Sequence, residues 1–202
     1  MVMVAPSRGT IPTSSYSQSI LSTPLDTLGP KNSNNNNTYT RVSRKYIHTP
    51  ELIPVSYNYV SNRVPELWKK YNPIVVIHVG VSQSSKCIEI EQKAHSTGYD
   101  KHDTYKELPN ESDILERAFQ TDIDVKTICS NIKKCINNIG CQISMSDNAG
   151  RYLCEYIYYQ SLNIDKSRVI FIHVPDISHY PSAQTAKALY IILCTLLKHL
   201  ND

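Results

Sequence analysis

No run of apolar residues in this 202-residue sequence is long enough to cross a bilayer, which excludes a membrane-spanning helix. The opening Met-Val-Met-Val-Ala-Pro-Ser-Arg-Gly-Thr lacks the apolar core of a secretory signal. We therefore expect a cytoplasmic protein whose six cysteines are reduced thiols. No Cys-x-x-Cys pair occurs, and Cys129, Cys135 and Cys141 stand six apart, so no zinc site is expected. RNP, helix-turn-helix and zinc-finger patterns are missing too. The net charge is +3, from scattered basic residues, and this leaves no footprint for nucleic acid. Phenylalanine is scarce: Phe119 and Phe171 are the only two.

What is present divides the chain. Residues 1–45 are rich in Ser, Thr, Pro and Asn and include Asn34-Asn-Asn-Asn37. Their apolar residues are sparse and aperiodic, a composition that predicts a disordered arm. Residues 46–202 carry regular apolar patterns and are long enough for one domain with a core.

Leu52-Ile-Pro-Val-Ser56 reads as a short edge strand, because Pro54 cannot donate to a ladder. Tyr57 to Tyr71 is amphipathic, with Val60, Val64, Leu67, Trp68 and Tyr71 on one face; Pro65 either kinks it or begins its second half. Ile74 to Val81 is a central strand. Cys87 to Glu91 alternates apolar and acidic residues, a strand with Glu89 and Glu91 on its polar face. Residues 96–112 are polar and read as a crossing loop. Val125 to Asn138 is a second amphipathic helix, ended by Gly140.

The apolar run Cys141 to Met145 then feeds the turn Ser146-Asp147-Asn148, where Ser146 or Asp147 is placed to cap a following helix. Arg168 to Pro175 is a strand apolar on both faces, suited to the sheet centre. Ala183 to Leu200 closes the chain with a broad apolar stripe. Strands alternating with helices predict an α/β fold. We expect a three-layer sandwich with a mixed, mostly parallel central sheet and helices on both faces.

Two residues stand out chemically. Cys154 lies on the rim of its helix's apolar face. His173 lies at the carboxyl end of its strand, where ligand sites collect in open α/β sheets. A lone cysteine is more often a small core residue, and a histidine on an apolar strand a hydrogen-bonded core one. Together at one sheet edge, a thiol and an imidazole are the pair a cysteine nucleophile needs. Gln83, in the loop after a central strand, either bonds a ligand or is simply solvated. Arg151 reads as an ion-pair residue, His78 as structural, and Tyr156, Tyr158 and Tyr159 as core.

Asp147-Asn-Ala-Gly-Arg-Tyr-Leu-Cys154 with Tyr158-Tyr-Gln-Ser-Leu162 resembles the nucleophile signature of the pyroglutamyl-peptidase I family of cysteine peptidases. Phe171-Ile-His-Val-Pro175 resembles its histidine motif. His78-Val-Gly-Val-Ser82, Glu91-Gln-Lys-Ala-His95 and Gly98-Tyr99 resemble its glutamate region, and Ile53-Pro-Val-Ser-Tyr57 with Leu67-Trp68 its preceding strand and helix. The likeness covers roughly residues 51–202. It implies a Cys-His-Glu triad, with Cys154 as nucleophile, His173 as base and Glu91 as the orienting carboxylate. The reaction implied is removal of N-terminal pyroglutamate from peptides, without metal or other cofactor. Assembly into a homo-oligomer is compatible with it.

The family's glycine-rich opening with two phenylalanines has no counterpart here, and that segment walls the lactam pocket. The alternative is therefore a truncated or diverged member that is weak or inactive and acts by binding.

Overall fold

The computed structural model describes residues 2–4, 49–111 and 114–200. Its spine is strand β8 (Val169–Pro175), buried at every position. Successive side chains of a strand point to opposite faces. Ile170, Ile172 and Val174 therefore enter one apolar cluster, while Val169 and Phe171 enter another. His173 shares the second face. Each fully buried Ile, Val or Phe contributes about 1.5–3 kcal/mol relative to exposure, so a strand burying both faces seeks the centre.

The other strands are β1 (Val2–Val4), β2 (Thr49–Glu51), β3 (Val76–Ser82), β4 (Ile88–Glu91), β5 (Lys93–His95), β6 (Ala118–Gln120) and β7 (Ile143–Ser146). The main sheet runs β2-β1-β3-β8-β4-β7, and β5 pairs with β6 in a separate ribbon. β3 is parallel to β8, and β4 to β7; β4 is antiparallel to β8, and β1 to both of its neighbours. Helices α1 (Tyr57–Tyr71) and α3 (Leu153–Asp165) pack together on one face of this sheet. On the other lie α2 (Val125–Asn138) and α4 (Ser182–His199). The fold is thus the expected mixed-sheet α/β sandwich.

Helix ends follow local chemistry. The Ser56 hydroxyl accepts from the Tyr59 N–H at 3.3 Å, and Asn72 turns left-handed at φ 39° to close α1. The helix runs through Pro65 without a break. Asp124 caps α2 by accepting from the Thr127 N–H at 3.0 Å.

Several expectations are corrected. The edge strand is Thr49–Glu51, not residues 52–56, because Ser56 is spent as a helix cap. Ser146 and Asp147 do not cap α3. Its N-cap is Tyr152, which makes no side-chain cap bond. Ser146 instead accepts from the Asn148 N–H, and Asn148 from the Gly150 N–H, shaping the connecting loop. Of residues 1–45, those in β1 join the sheet; the rest of that expected arm lies outside the described residues.

Candidate active site

His173 sits near the carboxyl end of β8, opposite Gly80 of β3 in the parallel register. Its Nδ1 lies 2.7 Å from Oε1 of Glu91, the last residue of the antiparallel neighbour β4. Glu91 is fully buried. Alternation along β4 predicts a polar, outward face for it; the residue is instead turned under α3. The Tyr158 hydroxyl of α3 donates to the Glu91 carbonyl at 3.0 Å and fixes that backbone. Phe171 backs the imidazole, with ring centroids 4.7 Å apart.

Cys154 is the second residue of α3 and is partly exposed. Its thiol is close enough to the same imidazole to act on it electrostatically. With Nδ1 engaged by Glu91, Nε2 is the ring nitrogen left for the sulfur. Burial pulls the His173 imidazole down. The hydrogen bonds and charges of Cys154 and Glu91 more than offset this and push it up to about 9. At neutral pH the ring therefore carries the proton.

The helix start adds to this. Gly150 at φ 95° and Arg151 at φ 46° make a tight left-handed turn into α3. The first-turn N–H groups of a helix have no intrahelical partner, and no side chain caps this one. Those donors and the positive end of the helix dipole lie beside Cys154, where negative charge developing on a substrate oxygen is favoured.

The structure brings Cys154 beside the hydrogen-bonded His173–Glu91 pair. Gln83 is exposed in the loop after β3, at the sheet edge where β8 also ends. Arg151 pairs with Glu155, Nε to Oε1 at 3.3 Å. His78 is buried in the sheet with Nε2 2.8 Å from the Ser161 hydroxyl, and burial drives its imidazole down to about 3, so it is neutral. Tyr156, Tyr158 and Tyr159 are core residues.

Sequence reasoning gave no role to Gly80. A β-carbon there would stand 2.8 Å from Cys154 Sγ and 2.8 Å from Phe171 Cζ. The available signal was a glycine inside an otherwise β-branched strand, which often marks close approach of another group. Among the described residues no cluster of His, Cys, Asp and Glu could hold a metal ion.

The pyroglutamyl peptidase family model PgaPase_1 matches residues 19–178. The chain belongs to the pyroglutamyl peptidase family. It is 34% identical to the pyroglutamyl-peptidase 1 of Rattus norvegicus over 151 residues, 72% of this chain and 70% of that protein. It is 34% identical to the Homo sapiens pyroglutamyl-peptidase 1 over 156 residues, covering 74% and 73%. The fold matches pyrrolidone carboxyl peptidase from Thermococcus litoralis with a TM-score of 0.64 at 18% identity, over 85% of this chain and 91% of that one. At that identity the structural match speaks for the fold, and the sequence matches for the family.

Proposed function

We propose that the protein is a cysteine exopeptidase that removes N-terminal pyroglutamate from peptides, with Cys154 as nucleophile, His173 as base and acid, and Glu91 as the carboxylate orienting the imidazole. The observation that carries this reading is the buried His173–Glu91 hydrogen bond with Cys154 beside the imidazole at an uncapped helix start. Membership of the family supplies the substrate class.

The steps follow from the geometry. His173 holds the thiol proton, and the thiolate attacks the acyl carbon of the pyroglutamyl residue. The carbonyl oxygen becomes an oxyanion, held by unpaired N–H groups at the start of α3. The tetrahedral intermediate collapses by breaking the C–N bond, and His173 gives its proton to the departing amine. A thioester remains. His173 then takes a proton from water, the resulting hydroxide attacks the thioester, and pyroglutamate leaves as the thiolate and imidazolium reform. General acid–base help of this kind is worth about 10²–10⁴-fold. Gln83, at the same sheet edge, is placed in this reading as a hydrogen-bond partner for the lactam. All six cysteines are free, which supports a reducing compartment and a cytoplasmic setting.

The test is release of aminomethylcoumarin from its pyroglutamyl amide. Wild-type protein should turn over, and Cys154→Ser should lose more than about 10³-fold in kcat. Folded wild-type protein that releases no fluorophore would leave the chain a binding relative and overturn the reading.

A further inference from the structure

The carboxylate of Glu155, next to the nucleophile in sequence, has no part in the steps above. It is nonetheless buried, at 1% exposure. Donors reach it from two directions. From β5, the His95 backbone N–H donates to Oε1 at 2.9 Å, and the His95 ring Nδ1 lies 2.7 Å from the same oxygen. From the turn before α3, the Arg151 backbone N–H donates to Oε2 at 2.8 Å, and Arg151 Nε lies 3.3 Å from Oε1. The Arg151 guanidinium continues through Nη1 to the Thr97 carbonyl at 2.5 Å.

The placement of these partners matters. β5 follows directly on β4, whose last residue is Glu91. Cys154 is the second residue of α3. One buried carboxylate therefore ties the strand that brings in the acid to the helix that brings in the sulfur. The turn it grips is one that relaxes if released. Arg151 has φ 46°, and a non-glycine residue stays left-handed only where its surroundings hold it. Gly98, at φ 90°, makes room for the clamp: a β-carbon there would collide with Arg151 Nη1.

The geometry points to Glu155 as a positioning residue for the reaction. It fixes the spacing between the Glu91 arm and the Cys154 arm, and it holds the left-handed turn that aims the first N–H groups of α3. This inference rests on the peptidase reading. Loss of the clamp misaligns sulfur, imidazole and oxyanion donors without touching the lactam contacts, so it acts on kcat rather than KM.

Two variants test it. Glu155→Gln keeps the shape but turns an NH₂ group toward a donor. His95→Gln is milder, removing the ring contact while leaving the His95 backbone N–H and both Arg151 contacts in place. Each is assayed for kcat and KM on the pyroglutamyl amide. Each is also assayed for the rate at which iodoacetamide alkylates Cys154 as a function of pH, followed on the Cys154 peptide by mass spectrometry. We expect kcat to fall about 10²-fold in Glu155→Gln and about 10-fold in His95→Gln, with KM within about twofold. We also expect the alkylation profile to move to higher pH as the thiolate–imidazolium pair loosens. A folded variant with wild-type kcat overturns the inference, as does a fall in kcat with an unmoved alkylation profile. If Glu155→Gln does not fold, His95→Gln decides. Absence of wild-type turnover refutes the peptidase reading instead, and the alkylation profiles still report on Glu155.

Discussion

Gly80 and Cys154 face each other across the gap between β3 and α3, and a single added carbon at Gly80 would lie 2.8 Å from the sulfur. The same carbon would lie 2.8 Å from the ring edge of Phe171, which is buried at 2% exposure and cannot swing away. Sulfur is thus the group that must yield, and it moves relative to His173. We expect Gly80→Ala to lower kcat/KM by about 10²-fold, because a shift of order 1 Å costs that much in an aligned site. Overpacking of this kind also costs about 1–3 kcal/mol of stability. Steady-state kinetics and urea unfolding on one preparation check both, and near-wild-type turnover would show that the sulfur tolerates the intrusion.

A second prediction concerns the acid. The Glu91 charge and its 2.7 Å bond to Nδ1 are among the influences that raise His173 to about 9. The reaction needs the imidazolium, so kcat/KM should decline as pH rises through about 9. Glu91→Gln keeps an acceptor for Nδ1 but removes the charge. The alkaline limb should then move to lower pH, and kcat/KM near neutrality should fall about 10²–10⁴-fold. A pH–rate profile of both proteins checks the direction. An alkaline limb that stays in place in Glu91→Gln would mean that the carboxylate does not set the imidazole.

The raised imidazole also links to stability. His173 has a folded value above the ordinary 6.5, so the folded state binds its proton more tightly than the unfolded chain does. The contribution is complete below about pH 6.5 and is lost as pH rises through about 9. Each tenfold gain in proton affinity is worth about 1.4 kcal/mol, so up to about 3 kcal/mol is at stake in this buried group. Urea unfolding at pH 6 and pH 10 should show wild type losing more stability than His173→Gln. Equal losses in the two proteins would place the pH dependence elsewhere.

Much of this fold was legible because its strongest elements are periodic. α1 and α2 run over Tyr57–Tyr71 and Val125–Asn138, the spans that their apolar spacing marked. β8 declared its central place by being apolar on both faces. The ribbon of Lys93–His95 with Ala118–Gln120 was not legible: its strands are three residues long and more than twenty apart, too short for a pattern. Glu91 was visible as a candidate, yet its burial depends on α3 lying over β4, a contact that alternation cannot announce. Glu155 left no mark at all, since a glutamate in a first helical turn is ordinarily a solvated partner of the dipole. Its significance comes only from the donors that β5 and the Arg151 turn bring to it.

The last prediction separates the scaffold from the chemistry. The Ser161 hydroxyl sits between α1 and β3, accepting from Trp68 Nε1 at 3.0 Å and lying 2.8 Å from His78 Nε2. It is fully buried, and His78 Nδ1 has no partner among the described residues. Ser161→Ala would leave the Trp68 N–H and a second nitrogen of His78 unsatisfied in an apolar setting. Each such group costs about 1–3 kcal/mol, so the melting temperature should drop by several degrees. His78 stacks on Phe171, but the triad is held by other bonds. At a temperature where the variant is folded, kcat should therefore stay within about twofold of wild type. A fall in kcat without a fall in melting temperature would mean that the hydroxyl acts on the site through the Phe171 ring, and the boundary between frame and chemistry would have to move inward by one layer.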